Sequence, residues 1–248
     1  MHGEPSKATM ATSFGQAAGL YERGRPGYPA EAVAWMLPDH VVTVADAGAG
    51  TGKFSAALAA TGRTVIAVDP DEQMLALLRA SHPGIATRIG TGEHLPFDDA
   101  SMDAVTFAQA WHWVDPVPAS REIARVLKPG GVLGLIWNIR DERVPWMAEL
   151  GRIMKASAAD QLIAEGGPVV AQPFGPLECW ASRWQQQVSV DDVLAMVSSR
   201  SHVLTAPRSR QDQIKDGIRE LLATHPATRG STMISLPYIT YAYRATSS

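Results

Sequence analysis

From Val41 to Asn138 the chain alternates short, almost unbroken apolar runs with stretches whose apolar residues recur at helical spacing. The runs VVTVAD, TVIAVD, DAVTFAQ and GVLGLIW are rich in small and β-branched residues and lack the polar alternation of a half-wetted strand. They predict parallel strands buried on both faces. Between them FSAALAAT, EQMLALLRASH and PASREIARVL predict helices with one apolar face, and ATRIG predicts a further strand before DAVTFAQ. The resulting βαβα order implies a parallel sheet with helices on both sides.

The flanks read differently. Residues 1–13 are small and polar, the pattern of a frayed terminus. Phe14 to Tyr28 predicts a short helix and a turn, and Pro29 opens a helix through EAVAWML. Beyond Asp141 the pattern predicts one helix over VPWMAELGRIMKASA and an irregular Gly- and Pro-rich stretch from Gly166 to Pro176. A strand near RWQQQVSV, helices near DDVLAMVSS and RQDQIKDGIRELLATH, and a last strand near MISLPYITYAYRA follow.

Composition narrows the partners. The 248 residues suit one core; 46% are hydrophobic and 19% charged, as in an ordinary globular chain. A net charge of -3 supplies no basic field for a phosphate backbone, so nucleic acid is not the expected partner. Cys179 is the only cysteine, which excludes an intramolecular disulfide and a thiolate zinc cluster, and no His, Asp and Glu grouping has metal-ligand spacing. No apolar run has the length of a membrane span and the first twenty residues lack a leader's pattern, so the expected location is the cytoplasm.

The richest chemistry lies in VADAGAGTGKFSAAL, where a strand ending at Asp46 runs through Gly48, Gly50 and Gly52 into a helix. Glycines at alternate positions let the backbone turn sharply and bring its amides against a ligand. A phosphate-binding loop of the G-x-x-x-x-G-K-[ST] kind would need Gly where Ala47 stands and Ser or Thr where Phe54 stands. A dinucleotide fingerprint would place its third glycine at Lys53, one residue late. Seventeen residues beyond Gly52, Asp69 ends the second strand, at the edge where open α/β sheets bind ligands and where a carboxylate can accept two ribose hydroxyls. Asp71 is better suited to cap the next helix.

The segment Asp46-Ala-Gly48-Ala49-Gly50-Thr-Gly52 resembles the first motif of the class I S-adenosylmethionine-dependent methyltransferases. Further likenesses to a bacterial branch containing trans-aconitate methyltransferase-like proteins are Tyr21-Glu-Arg-Gly-Arg25-Pro-Gly-Tyr28-Pro, Leu127-Lys-Pro-Gly-Gly131, Trp137-Asn138 and Leu236-Pro-Tyr238. They extend from about residue 14 to 244. The resemblance implies a doubly wound, Rossmann-like α/β fold: a seven-stranded, mostly parallel sheet, an antiparallel last strand inserted at one edge, and a small helical cap. It implies one methyltransferase domain, with a flexible terminus at 1–13, a lid segment at 14–40, a cofactor-binding core at 41–140, a cap and acceptor region at 141–205, and a last helix and strand at 206–248.

By the same resemblance S-adenosylmethionine, leaving as S-adenosylhomocysteine, would be held without a metal by Tyr21, Arg25, Asp46, Gly48, Ala49, Gly50, Gly52, Asp69, Pro70, Met74, Thr91, Gly92, Glu93, Gln109 and Ala110. Many relatives carry aspartate where Thr91 stands, which leaves open whether a side chain or the backbone meets the adenine. A small-molecule acceptor would meet Tyr28, Trp111, Trp113 and Arg200, with His112 as candidate base and His202 as a second group near the pocket. Tryptophans 111, 113, 146, 180 and 184 either line that pocket or fill the core. The expected assembly is a monomer or homodimer. The alternative readings are a catalytically silent S-adenosylmethionine-binding protein and a nicotinamide-dependent oxidoreductase.

Overall fold

The computed structural model describes residues 26–198, 203 and 206–247. Its elements run α1 (Ala30–Met36), β1 (Thr43–Ala47), α2 (Lys53–Ala59), β2 (Thr64–Asp69), α3 (Glu72–Ser81), β3 (Ala86–Ile89), β4 (Met102–Ala108), a 3-10 turn (Trp111–Trp113), α4 (Pro116–Val126) and β5 (Leu127–Arg140). Then follow α5 (Pro145–Met154), α6 (Ala158–Ala164), β6 (Glu178–Ser189), α7 (Val190–Ser198), α8 (Arg208–Thr224) and β7 (Met233–Thr246).

The seven strands form one mixed sheet in the order β3-β2-β1-β4-β5-β7-β6. Strands β1 to β5 pair in parallel, whereas β7 pairs antiparallel with both β5 and β6. The chain leaves β1 toward β2 on one side and returns as β4 on the other. The carboxyl ends of β1 and β4 therefore flank the point where the winding reverses, where open sheets leave a crevice for a ligand. The uninterrupted burial of Val44–Ala47 and Ala104–Phe107 matches their apolar runs, because both sheet faces are covered. One face packs on α1, α2 and α3 through Met36, Phe54, Leu58, Leu75 and Leu78. The other packs on α4, α6 and the stretch before β6 through Phe107, Trp111, Ile123, Trp137 and Phe174. A third cluster, around Trp146, Met147, Val193, Ile218 and Tyr238, joins α5, α7 and α8 to the far end of β6 and β7.

Three expectations need correction. The single helix over VPWMAELGRIMKASA is two: α5 stops at Lys155, with φ 62°, and Ser157 opens α6 with a capping box in which it and Asp160 satisfy each other's backbone amides. Strand β6 begins at Glu178, five residues before the apolar signal, because its pattern alternates exposed and half-buried positions at an edge. The last strand lies between β5 and β6 instead of at the edge; β6 holds that place. Among the described residues no helix is long and apolar enough to cross a membrane.

Candidate cofactor and acceptor site

The glycine loop leaves β1 at the crevice, and each glycine is required for its own reason. All three take positive φ, 67° at Gly48, 56° at Gly50 and 89° at Gly52, where a side chain is strained. A Cβ on Gly48 would lie 2.6 Å from the Cβ of Ala110, and one on Gly52 would lie 2.5 Å from Leu78 of α3. A Cβ on Gly50 would meet nothing within 4 Å. Packing thus explains Gly48 and Gly52, whereas Gly50 borders open space.

Beneath the loop Asp46 is fully buried and accepts hydrogen bonds from Ser55 Oγ at 2.6 Å and Thr106 Oγ1 at 2.9 Å. Burial pushes its carboxyl up to about 7. It ties α2 and β4 to the root of the loop and presents no surface to a ligand. Asp69 stands on the adjoining strand, where Oδ2 accepts the Gly50 amide at 2.8 Å and Oδ1 the Asp71 amide at 2.9 Å. Burial raises its pKa as well, outweighing those two bonds. Asp71 caps α3, its Oδ1 accepting from Gln73 N, while its Oδ2 is buried with no partner. Pro70 is exposed beside them, and Met74 is buried in the first turns of α3.

The turn after β3 is closed by reciprocal backbone bonds between Thr91 and His94 at 3.1 and 3.2 Å. Gly92 is forced by crowding, since a Cβ there would lie 2.8 Å from Val114 and 3.0 Å from Phe107. Glu93 accepts the Asp115 amide at 2.8 Å and so links this turn to the start of α4. Glu122 and Arg125, which sequence reasoning passed over, hold the following residues. Glu122 accepts the Leu95 amide at 2.8 Å, and Arg125 donates to the carbonyls of Leu95 and Phe97 at 3.2 and 2.9 Å. Their spacing of three on an amphipathic helix was the available signal.

At the end of β4, Gln109 adopts φ 57°, an uncommon conformation for a side-chain-bearing residue, and donates from Nε2 to the Asn138 carbonyl at 3.0 Å. Ala110 is buried against Gly48. His112 accepts at Nδ1 a long bond of 3.4 Å from Trp137 Nε1, which occupies that ring nitrogen. Trp113 is half-buried, its ring 4.7 Å from that of His112. Trp111 is 3% exposed, packs edge-to-face on Phe107 and donates to the Val169 carbonyl at 3.0 Å, so it joins the core and fastens the stretch before β6.

The tryptophans do not converge on one pocket. Trp111 lies in one core cluster, Trp146 in another with Trp184 beside it, and Trp180 packs against the third. Tyr28 is half-buried with its ring 4.7 Å from that of Phe54 on α2. Tyr21, Arg25, Arg200 and His202 lie outside the described residues. Sequence reasoning marked Asn138 only as a landmark, yet it is buried at the crevice edge and donates to the Gly27 carbonyl at 2.9 Å; its signal was an amide closing an apolar strand. Among the described residues no group of three His, Cys, Asp or Glu side chains is arranged to hold a metal ion.

Comparison with known proteins agrees with this geometry. Residues 45–135 match the methyltransferase domain family. An uncharacterized methyltransferase of Mycobacterium tuberculosis is 46% identical over 97% of this chain and 98% of its own. A methyltransferase-like protein of Schizosaccharomyces pombe is 33% identical over 90% of this chain and 91% of its own. Among solved structures, a candidate type II methyltransferase from Anaeromyxobacter dehalogenans shares the fold with a TM-score of 0.63, at 24% identity over 90% of this chain and 97% of its own. The chain belongs to the class I S-adenosylmethionine-dependent methyltransferase family.

Proposed function

We propose that this chain binds S-adenosylmethionine in the crevice between β1, β2 and β4 and methylates a small-molecule acceptor. The observation that carries this reading is the open space over Gly50 beside a carboxylate on the next strand. The residues fit the ligand. Each oxygen of Asp69 accepts one backbone amide and keeps a lone pair, so the carboxylate can take two ribose hydroxyls. Partial burial leaves it short of solvation, and hydroxyl donors would restore what water cannot supply.

When bound, S-adenosylmethionine supplies an electrophilic methyl group on a sulfonium, open to in-line displacement. Gly48, Ala49, Gly50 and Gly52 would give the backbone surface against which it lies, with Pro70 and Met74 flanking Asp69. Thr91, Gly92 and Glu93 would wall the adenine side, and Gln109 and Ala110 the methionine side. Tyr21 and Arg25 would act from the amino-terminal segment. Tyr28, Trp113 and Arg200 would face the acceptor, whereas burial of Trp111 suits it to supporting the wall. Alignment of acceptor and donor can supply roughly 7–11 kcal/mol of the barrier reduction without a base. His112 would serve as a base only by releasing Trp137 from Nδ1.

The test is calorimetric titration with S-adenosylmethionine and S-adenosylhomocysteine, with NAD as control, on the wild type and on Asp69→Ala and Gly50→Val. Micromolar binding of the sulfur ligands, weakened about 30-fold in Asp69→Ala and about 100-fold or more in Gly50→Val, is the expected result. Binding of NAD, or of nothing, overturns the cofactor. Binding without turnover across acceptors carrying hydroxyl, carboxyl and amine groups overturns the enzymatic reading in favour of a silent binding protein.

A further inference from the structure

Asn138 sits at the centre of a directed chain of hydrogen bonds. Trp184 Nε1 of the edge strand donates to Thr240 Oγ1 at 2.8 Å, Thr240 Oγ1 donates to Asn138 Oδ1 at 2.6 Å, and Asn138 Nδ2 donates to the Gly27 carbonyl at 2.9 Å. Thr240 is fully buried and Asn138 is 8% exposed, so the chain is shielded from water along most of its length. The Thr240 hydroxyl has one hydrogen. By accepting from Trp184 and donating to Asn138 it fixes which end of the Asn138 amide faces it, and so which end faces Gly27.

The residue after Gly27 is anchored elsewhere. Tyr28 packs its ring edge against Phe54, in the first turn of the helix that follows the glycine loop. One end of this two-residue span is therefore fixed to β5 and the other to α2, while β4 and its strained terminus Gln109 lie between β5 and β1. Gln109 donates to the Asn138 backbone carbonyl, so the same residue steadies both the span and the methionine-side wall.

We infer that Asn138 is a positioning residue: set by Thr240 and Trp184, it pins the Pro26–Pro29 span as a strap across the end of β4 and thereby slows departure of the cofactor. The inference rests on the cofactor reading proposed above. It assigns Asn138 no contact with ligand. It also couples the edge strand β6 to the cofactor crevice by an entirely polar route.

The strap is tested with Asn138→Asp, which still accepts from Thr240 but turns a carboxylate oxygen toward the Gly27 carbonyl, and with Thr240→Val and Trp184→Phe. Dissociation of S-adenosylhomocysteine is followed by stopped flow, and backbone hydrogen exchange of a peptide covering residues 26–30 is followed without ligand. Asn138→Asp is expected to speed dissociation about tenfold with association changed less than about twofold, since one buried hydrogen bond is lost and an acceptor pair is opposed. Thr240→Val, which frees the amide to turn, is expected to give about threefold, and exchange of the peptide should quicken in the same order. A purely architectural role would lower the melting temperature without this split between dissociation and association. If Asn138→Asp fails to fold, Trp184→Phe at the half-exposed edge carries the test through the exchange readout. Wild-type dissociation and exchange in the folded variants overturn the strap. Absence of wild-type binding overturns the cofactor reading while the exchange order still decides whether Asn138 holds the span.

Discussion

The two halves of the sheet solve different problems. In β1 to β4 the strands are short and parallel, and ionisable groups are buried where strands end: Asp46 at the root of the loop, Asp69 at the end of the next strand and Asp71 at the helix cap that follows it. In β5, β7 and β6 the strands are 14, 14 and 12 residues long, β7 runs against its neighbours, and the buried polar groups are the neutral Asn138 and Thr240 together with Arg140 and Asp141 at the end of β5, which are ion-paired with Asp160 and Arg143. Buried charge is costly unless its hydrogen bonds are met. In the first half the buried charges are carboxylates held by hydroxyls and backbone amides, which marks where the molecule gives up stability to shape a ligand surface; in the second half the buried charges sit in ion pairs and a neutral polar chain holds elements together.

The most forceful way to break this contrast is pH. Burial holds the Asp46 carboxyl near 7 in the folded state against 3.8 in the unfolded chain, so between those values the folded protein keeps a proton that the unfolded chain has lost. Stability from this group is fully present below about pH 4 and is lost as pH rises through about 7, by an amount on the order of 4 kcal/mol. Chemical denaturation across that window should show the slope in the wild type and lose it in Asp46→Asn; parallel slopes would remove Asp46 from the account.

Next in size comes the glycine pair that separates ligand surface from packing. Gly50→Val is expected to weaken S-adenosylhomocysteine about 100-fold or more, at a stability cost confined to the strain of its positive φ, because its side chain enters open space. Gly52→Val should cost roughly 1–3 kcal/mol more stability than Gly50→Val, because it adds a clash with Leu78 to the same kind of strain. A reversal of the two effects, read by calorimetry and melting, would place the ligand surface elsewhere. Asp69→Ala should weaken binding about 30-fold through lost charged hydrogen bonds, with the loop amide of Gly50 left unpaired.

A smaller effect is expected at His112. Its Nδ1 is engaged by Trp137, so His112→Ala should lower kcat about tenfold, through one lost hydrogen bond, and leave the acid limb of the pH–rate profile in place. A fall of 100-fold or more with loss of that limb would make it the general base. The smallest belongs to the surface pair Arg79–Glu72, where Glu72→Gln should shift stability by less than about 0.5 kcal/mol.

The same contrast explains what the sequence disclosed. The first half was readable because short βα units leave local marks: apolar runs, alternate glycines, and an acidic residue one strand on. Even there the roles sort differently in three dimensions, since Asp46 and Glu93 hold backbone and neighbours while Gly50 and Asp69 border the crevice. The second half left weaker marks. Strand β6 lies at an edge, and its first five positions set Cys179, Trp180 and Ala181 in succession between Glu178 and Ser182, so they showed neither a long apolar run nor an apolar-polar alternation. The break between α5 and α6 turns on Ser157 and Asp160, whose capping pattern sits inside an otherwise helical composition. The tryptophans were legible as large apolar groups, but which cluster each fills depends on strand order, and on this side strand order is set by pairings between segments far apart in sequence, from Ser189 with Met233 to Val132 with Thr246.

The position of β7 carries a consequence for how the protein comes into being. Strand β6 pairs only with β7 among the described strands, and β7 is made after it, across the span of α7 and α8. During synthesis the first five strands can assemble from neighbours already present, whereas β6 must wait for residues 233–246 to leave the ribosome before its backbone finds partners. Until then its amides and the flank of β5 stand open to any other extended chain. Of the seven strands, the one translated last is thus the piece that closes the sheet.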